Sequence, residues 1–258
     1  MTSTPDRATA LQRLREWHIT AMGLHPGGSN YVFVVKLEPS PASDEDQEPV
    51  LLQDEGDGES MLAIYKPQAG ERPLHDFPYG TLHNREIASY LLSEALGWPL
   101  IPPTVVREGP HGVGSVQLFI DADPQANFFT MRDDCLELFA PVAMFDVLVH
   151  NADRKGGAIL KSADGRLWSI DHGLTFNPRA RRRTVMFEFN GEPYPRPLMD
   201  SLQRLKPQLR EGTQLGDALC ELLDGHELAS LDNRVDRMLN DGKFPVLDPN
   251  LNVPWPYL

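Results

Sequence analysis

The sequence predicts an α+β fold in two lobes, a β-rich one over residues 1–120 and a mostly helical one over 121–258. Three observations predict it. Runs rich in β-branched and aromatic residues gather before residue 120 around a single amphipathic helix. From about Asp121 onward, apolar residues recur at helical spacing instead. The chain has 258 residues, 41% of them hydrophobic, enough to bury a sizeable core.

Taken in order, Leu11, Leu14, Trp17 and Ile19 predict a short helix over 8–22, stopped by Gly23. The runs YVFVVKLE (31–38) and MLAIYKP (61–67) read as antiparallel strands joined by a long loop. Ile87, Leu91 and Leu92 place one apolar stripe on a helix over 82–96, ended by Gly97. Two further strands, 103–107 and 114–120, complete a sheet of about five. In the second half, residues 134–150 read as one buried helix and HNADRKGGA as a polar loop. AILK and LWSID then form a hairpin on an Asp-Gly turn. Helices over 199–208, 216–224 and 228–239 lead into a proline-rich ending.

Charge and composition exclude several classes. The formal charge is −13, but residues 38–60 hold nine acids and no Lys or Arg, so −9 of it belongs to one solvated insertion. Basic residues interleaved with aromatics are lacking, so no nucleic-acid partner is expected. Runs of about 18 apolar residues are absent, and the charged opening segment does not read as a secretory signal. A cytoplasmic protein without a membrane span is expected. Its two cysteines, Cys135 and Cys220, are expected to pack as small hydrophobes.

Three motifs carry chemistry. Lys66 ends a strand and Glu86 lies twenty residues on in the amphipathic helix; a strand lysine steadied by a helix carboxylate can neutralise phosphates. The loop His150-Asn151-Ala152-Asp153-Arg154-Lys155-Gly156-Gly157 sets a carboxylate among cations on pliable backbone, where it can accept a proton from an attacking hydroxyl. The same loop also reads as a polar turn with a local Asp–Arg pair. Asp171, at a strand end before His172 and Gly173, suits a magnesium-holding carboxylate. In chain order these are the separate parts of a phosphoryl-transfer site.

The stretches YKP, ERPLHDFPYGTLHNREIASYLLSEALGW, FDVLVHNADRKGG and IDHGLTF resemble the atypical kinase superfamily that includes phosphatidylinositol 3- and 4-kinases and HipA-type kinases. In particular they resemble an uncharacterised bacterial phosphatidylinositol kinase-like family. The resemblance implies a two-lobed protein-kinase-like fold and a phosphotransferase that uses ATP and Mg²⁺. It places Gly27, Gly28 and Ser29 over the phosphates, Lys66 against them with Glu86, and Gln117 and Phe119 beside adenine above Leu160 and Ile170. Asp153 becomes the catalytic aspartate and Asp171 the metal ligand. Where the phosphatidylinositol kinase pattern has a metal-binding asparagine, this chain has Ala158; either His150, Asn151 or His172 compensates, or one metal serves, or activity is lost. Arg179, Arg181, Arg182 and Arg183 follow the metal aspartate. The last three are expected to meet an anionic acceptor such as an inositol phosphate, a lipid headgroup or a protein. A nucleotide-binding pseudokinase scaffold and a metal-dependent phosphohydrolase built on His150, Asp153, Asp171 and His172 remain the alternatives.

Overall fold

A computed structural model describes residues 5–26, 30–39, 49–51 and 59–258. Gly27, Gly28 and Ser29, and most of the acidic insertion, lie outside the described residues. The chain divides into two compact units, one comprising Met1–Ile87 and Pro102–Phe119 and the other Ala88–Ile101 and Ile120–Leu258.

The first unit opens with helix α1 (Arg7–Glu16), whose first amides bond to the Asp6 carboxylate at 3.1 Å. The helix is shorter than its apolar spacing predicts. It stops at Trp17, and His18–Leu24 forms strand β1. Two forces end it there: the β-branched pair Ile19-Thr20 favours extended backbone, and Arg107 donates to the carbonyls of Leu14 and Trp17 at 3.0 and 2.7 Å. Those carbonyls sit where a helix C-terminus attracts a cation.

Strands β2 (Phe33–Glu38), β3 (Val50–Leu51), β4 (Met61–Pro67), β5 (Thr104–Gly109) and β6 (Gly112–Leu118) complete a six-stranded sheet in the order β3-β1-β2-β4-β6-β5. Five strands are too few because β1 was read as helix and β3, which runs parallel to it, lies inside the acidic segment. In β4 the alternation buries Met61, Ala63 and Tyr65 and turns Leu62, Ile64 and Lys66 to the other face. Gly114 of β6 is required beside it, since a Cβ there would come within 2.5 Å of the Lys66 carbonyl oxygen. Helix α2 (Leu82–Ala95) starts where Glu71, from outside the helix, accepts the amides of Gly80 and Leu82 at 2.8 and 3.0 Å.

In the second unit the single helix expected over 134–150 is two. Helix α3 (Phe128–Cys135) begins with a capping box of Asn127 and Thr130, and α4 (Ala140–Leu148) restarts the chain after a 3₁₀ turn with Pro141 in its first turn. Strands β7 (Ile159–Lys161) and β8 (Leu167–Ser169) form the expected hairpin, its glycine, Gly165, at φ +85°. Helices α5 (Arg196–Leu205), α6 (Gln214–Leu222) and α7 (Gly225–Asp241) follow, the last capped by Asp224 and closed by left-handed Gly242. Of the two cysteines, Cys135 is half-buried and its thiol donates to the Met131 carbonyl, whereas Cys220 is exposed rather than packed. Among the described residues no helix is long and apolar enough to cross a membrane.

Candidate functional site

The strand lysine expected to meet phosphates, Lys66, and its helix partner Glu86 both lie in the first unit. Lys66 Nζ lies 2.6 Å from Glu86 Oε1, and the Glu86 side chain is only 4% exposed. A carboxylate so buried holds the ammonium at one point of the sheet face. Gln117 is buried and donates to Thr104 Oγ1 at 2.9 Å, so its amide is occupied inside the sheet. Phe119, just beyond β6, is half-buried.

The loop after α4 belongs wholly to the second unit. Arg154 is its framework. The side chain is fully buried; Nε and Nη2 grip the Asp146 carboxylate at 2.7 and 2.9 Å, and Nη1 donates to the carbonyls of Ala158 and Ile170 at 3.1 Å. Nη2 also meets Ser169 Oγ at 2.8 Å and lies 3.0 Å from His172 Nε2. One guanidinium therefore ties α4, the 3₁₀ turn at Gly156–Ala158, the end of β8 and the Asp171 segment together. The local Asp153–Arg154 pair does not form: Asp153 instead faces Lys155, 3.4 Å away.

Asp146 was missed at the sequence level. Its signal was a lone carboxylate in the otherwise apolar helix APVAMFDVL, which needs a buried partner.

Asn151 completes the support. Its Oδ1 accepts the Asp153 amide at 2.9 Å and its Nδ2 donates to Asp146 at 2.9 Å. Asp153 is thereby aimed from a fixed backbone while its side chain stays partly accessible. Burial raises its carboxyl above the ordinary aspartate range, and the nearby Asp171 adds to this against the opposing charges of Lys155 and Arg183. Asp171 is exposed and sits at φ +60°, a backbone conformation that non-glycine residues seldom adopt. Leu160 and Ile170, the expected apolar floor, are half-buried on either side of Ser169 and Ala158.

Gly156 is required in this loop. A Cβ there would stand 2.7 Å from the Phe129 ring, and its amide donates to the Tyr257 carbonyl at 2.8 Å.

The three residues that stood to compensate for Ala158 are all engaged elsewhere. Asn151 holds Asp146 and Asp153, His172 lies against Arg154 and Ser169, and the His150 ring bonds the Ala180 carbonyl at 2.8 Å. His150 is kept neutral, its pKa lowered to about 4 by burial, with the charges of Arg234, Arg182 and Arg237 adding to it and the Ala180 bond opposing. Between pH 4 and its ordinary 6.5 the unfolded chain binds the proton that the folded one refuses, so stability rises with pH across that window. We expect His150→Gln to flatten this part of a urea-midpoint against pH profile relative to wild type.

The four arginines separate. Arg179 and Arg181 are exposed, Arg182 is turned inward, and Arg183 Nε donates to the Ala152 carbonyl at 2.6 Å. They do not pair with Glu188, which binds Arg132 at 2.7 Å. Among the described residues no three His, Cys, Asp or Glu side chains converge as a metal cluster.

No protein-family model matches the chain. Protein Rv2133c of Mycobacterium tuberculosis is 34% identical over 237 residues, covering 76% of this chain and 83% of that protein. The chain belongs to the family of Protein Rv2133c. Phosphatidylinositol 4-kinase gamma 4 of Oryza sativa subsp. japonica is 29% identical over 160 residues, 48% of this chain but 28% of the plant protein's length. The crystal structure of the Golgi casein kinase with Mn/ADP bound superposes with a TM-score of 0.52 at 14% identity, over 92% of this chain and 76% of that one. The likeness shows a kinase-like fold of mixed helices and antiparallel sheet.

Proposed function

We propose that the protein is an ATP- and Mg²⁺-dependent phosphotransferase. The observation that carries this reading is the Arg154 framework: it fixes a partly accessible aspartate of raised pKa, Asp153, near a second and exposed one, Asp171. Asp153 takes the proton from an acceptor hydroxyl as that oxygen bonds the γ-phosphorus and the bond from that phosphorus to the β,γ-bridging oxygen breaks, so that ADP leaves with the electron pair. Lys66, steadied by Glu86, neutralises phosphate oxygens. Asp171 fits Mg²⁺, which is held by one or two carboxylates together with substrate phosphates and water rather than by a full protein cage. When bound there, the ion supplies charge neutralisation to the transferring phosphates. Ala158 offers no donor, so this reading is of a site in which protein carboxylate is supplied chiefly by Asp171.

The acceptor is anionic, facing the exposed Arg181; the likeness to a phosphatidylinositol 4-kinase supports an inositol phosphate or lipid headgroup. A second reading rests on Ala158: a nucleotide-binding scaffold without turnover. Lys66→Met separates the two. If transfer occurs, the variant should lose about 10²–10³-fold in kcat/KM for ATP, the order seen when one preorganised charge partner is removed. Wild-type protein that ATP stabilises against heat but that turns nothing over would favour the scaffold.

A further inference from the structure

The chain between strand β4 and helix α2 carries none of the groups assigned to phosphoryl transfer, yet it is held at both ends. It leaves Pro67 through the 3₁₀ turn Gln68–Gly70 and returns at Leu82, the first residue of α2. Glu71 is its centre. Its side chain is 6% exposed, and its two oxygens accept three amides: Oε2 that of Gly80 at 2.8 Å, and Oε1 those of Leu82 at 3.0 Å and His83 at 3.4 Å. Gln68 Nε2 closes the same loop onto the Gly80 carbonyl at 3.1 Å. Thr81, placed where a helix cap belongs, turns its hydroxyl to the Pro78 carbonyl instead. A carboxylate from outside α2 thus answers its first amides.

Further contacts tie this segment to its surroundings. Phe77 is buried, with the Arg85 guanidinium 5.1 Å from its ring centroid, and Arg85 is the neighbour of Glu86. At the other end the Tyr31 amide donates to the Gly70 carbonyl at 3.0 Å, and the Arg72 amide to Asn30 Oδ1 at 2.9 Å. The consequence is positional. Glu86 lies four residues into α2, about 6 Å along its axis from Leu82, and a slip of one residue at the helix start would turn it by about 100°. A helix whose first amides are pinned to one buried carboxylate does not slip in this way, and the negative charge at its N-terminus strengthens the hold.

We propose that Glu71 is a positioning residue: by fixing where α2 begins, it sets Glu86 at the height that holds Lys66 Nζ 2.6 Å away. The functional side of this inference rests on the phosphotransferase reading, in which Lys66 meets the phosphates; the positional side does not. A cap of purely local worth would stabilise α2 and leave Lys66 unaffected.

Competitive acetylation of nucleotide-free full-length protein, read at Lys66 by mass spectrometry, tests the position. Glu71→Ala should raise the Lys66 rate at least about threefold, toward that of Glu86→Gln. Glu71→Gln keeps one acceptor oxygen, so it should fall between, and it decides the matter if Glu71→Ala does not fold. Asp6→Ala, which removes the carboxylate that caps α1 in the same unit, should melt lower without altering Lys66. In the transfer assay Glu71→Ala should lower kcat/KM for ATP by about 10–100-fold. In the Lys66→Met background the same change should cost under about threefold, because the pair it positions is already gone. Unchanged Lys66 labelling in a folded Glu71 variant, an equal rise in Asp6→Ala, or full multiplication of the Glu71→Ala and Lys66→Met losses would overturn the assignment. Absence of transfer by wild type would instead remove the phosphotransferase reading, and the labelling would still decide whether Glu71 positions the pair.

Discussion

Asp153→Asn is expected to lower phosphoryl transfer by about 10²–10⁴-fold, the usual worth of a positioned general base, while making the nucleotide-free protein more resistant to heat at neutral pH. Both effects have one cause. Burial, with the neighbouring Asp171, raises the Asp153 carboxyl above its ordinary value despite Lys155 and Arg183, so the ionised form is costlier in the folded chain than in the unfolded one. A carboxyl raised in this way lowers stability as pH climbs through its folded pKa, and the penalty disappears below the unfolded value near 3.8. Asparagine keeps the shape and removes the charge. Calorimetry of both proteins across pH should show the variant melting higher near neutrality and the gap closing in acid. A variant that transfers phosphate within a few-fold of wild type, or melts lower throughout, would remove Asp153 from the role given to it.

Asp146→Ala should cost about 3–5 kcal/mol of folding stability, as expected when one partner of a buried ion pair is removed. Arg154 would remain fully buried with no carboxylate, and Asn151 would lose the acceptor that steadies it under the Asp153 amide. The double variant Asp146→Ala/Arg154→Met should recover part of the loss, because the stranded charge goes with the arginine. Recovery will be incomplete, since the Ile170 carbonyl and Ser169 hydroxyl lose a donor. Urea midpoints of the three proteins measure this. A single variant that loses under about 1 kcal/mol would show that Arg154 finds another counter-charge or water.

Much of the fold was legible because its signals are local. The strand alternation of MLAIYKP and the Asp-Gly hairpin each depend on residues a few positions apart. The misread segments depend on distant partners. Helix α1 ends early in part because Arg107, ninety residues later, takes its last carbonyls. Strand β3 exists by pairing with β1, which no property of the acidic insertion announces.

The site shows the same division. Lys66 and Glu86 meet as their positions on strand and helix suggested. Arg154, adjacent to Asp153, read as its partner, and only the packing of α4 reveals that it turns inward to Asp146. Four arginines in five residues read as one surface cluster. In the fold two of them, Arg179 and Arg181, are exposed, Arg183 grips the Ala152 carbonyl, and Arg182 lies beside it on a cavity wall.

The central claim is that Asp153 and Asp171 serve phosphoryl transfer. Purified full-length protein incubated with Mg²⁺ and ATP labelled at the γ-phosphate, with inositol phosphates, lipid vesicles and protein acceptors in parallel, tests it most directly. Mg²⁺-dependent passage of the γ-label to an acceptor by wild type, lost in both Asp153→Asn and Asp171→Asn, is the predicted result. Binding of ATP with no turnover in any of the three, or transfer of an α-label in place of the γ-label, would contradict it.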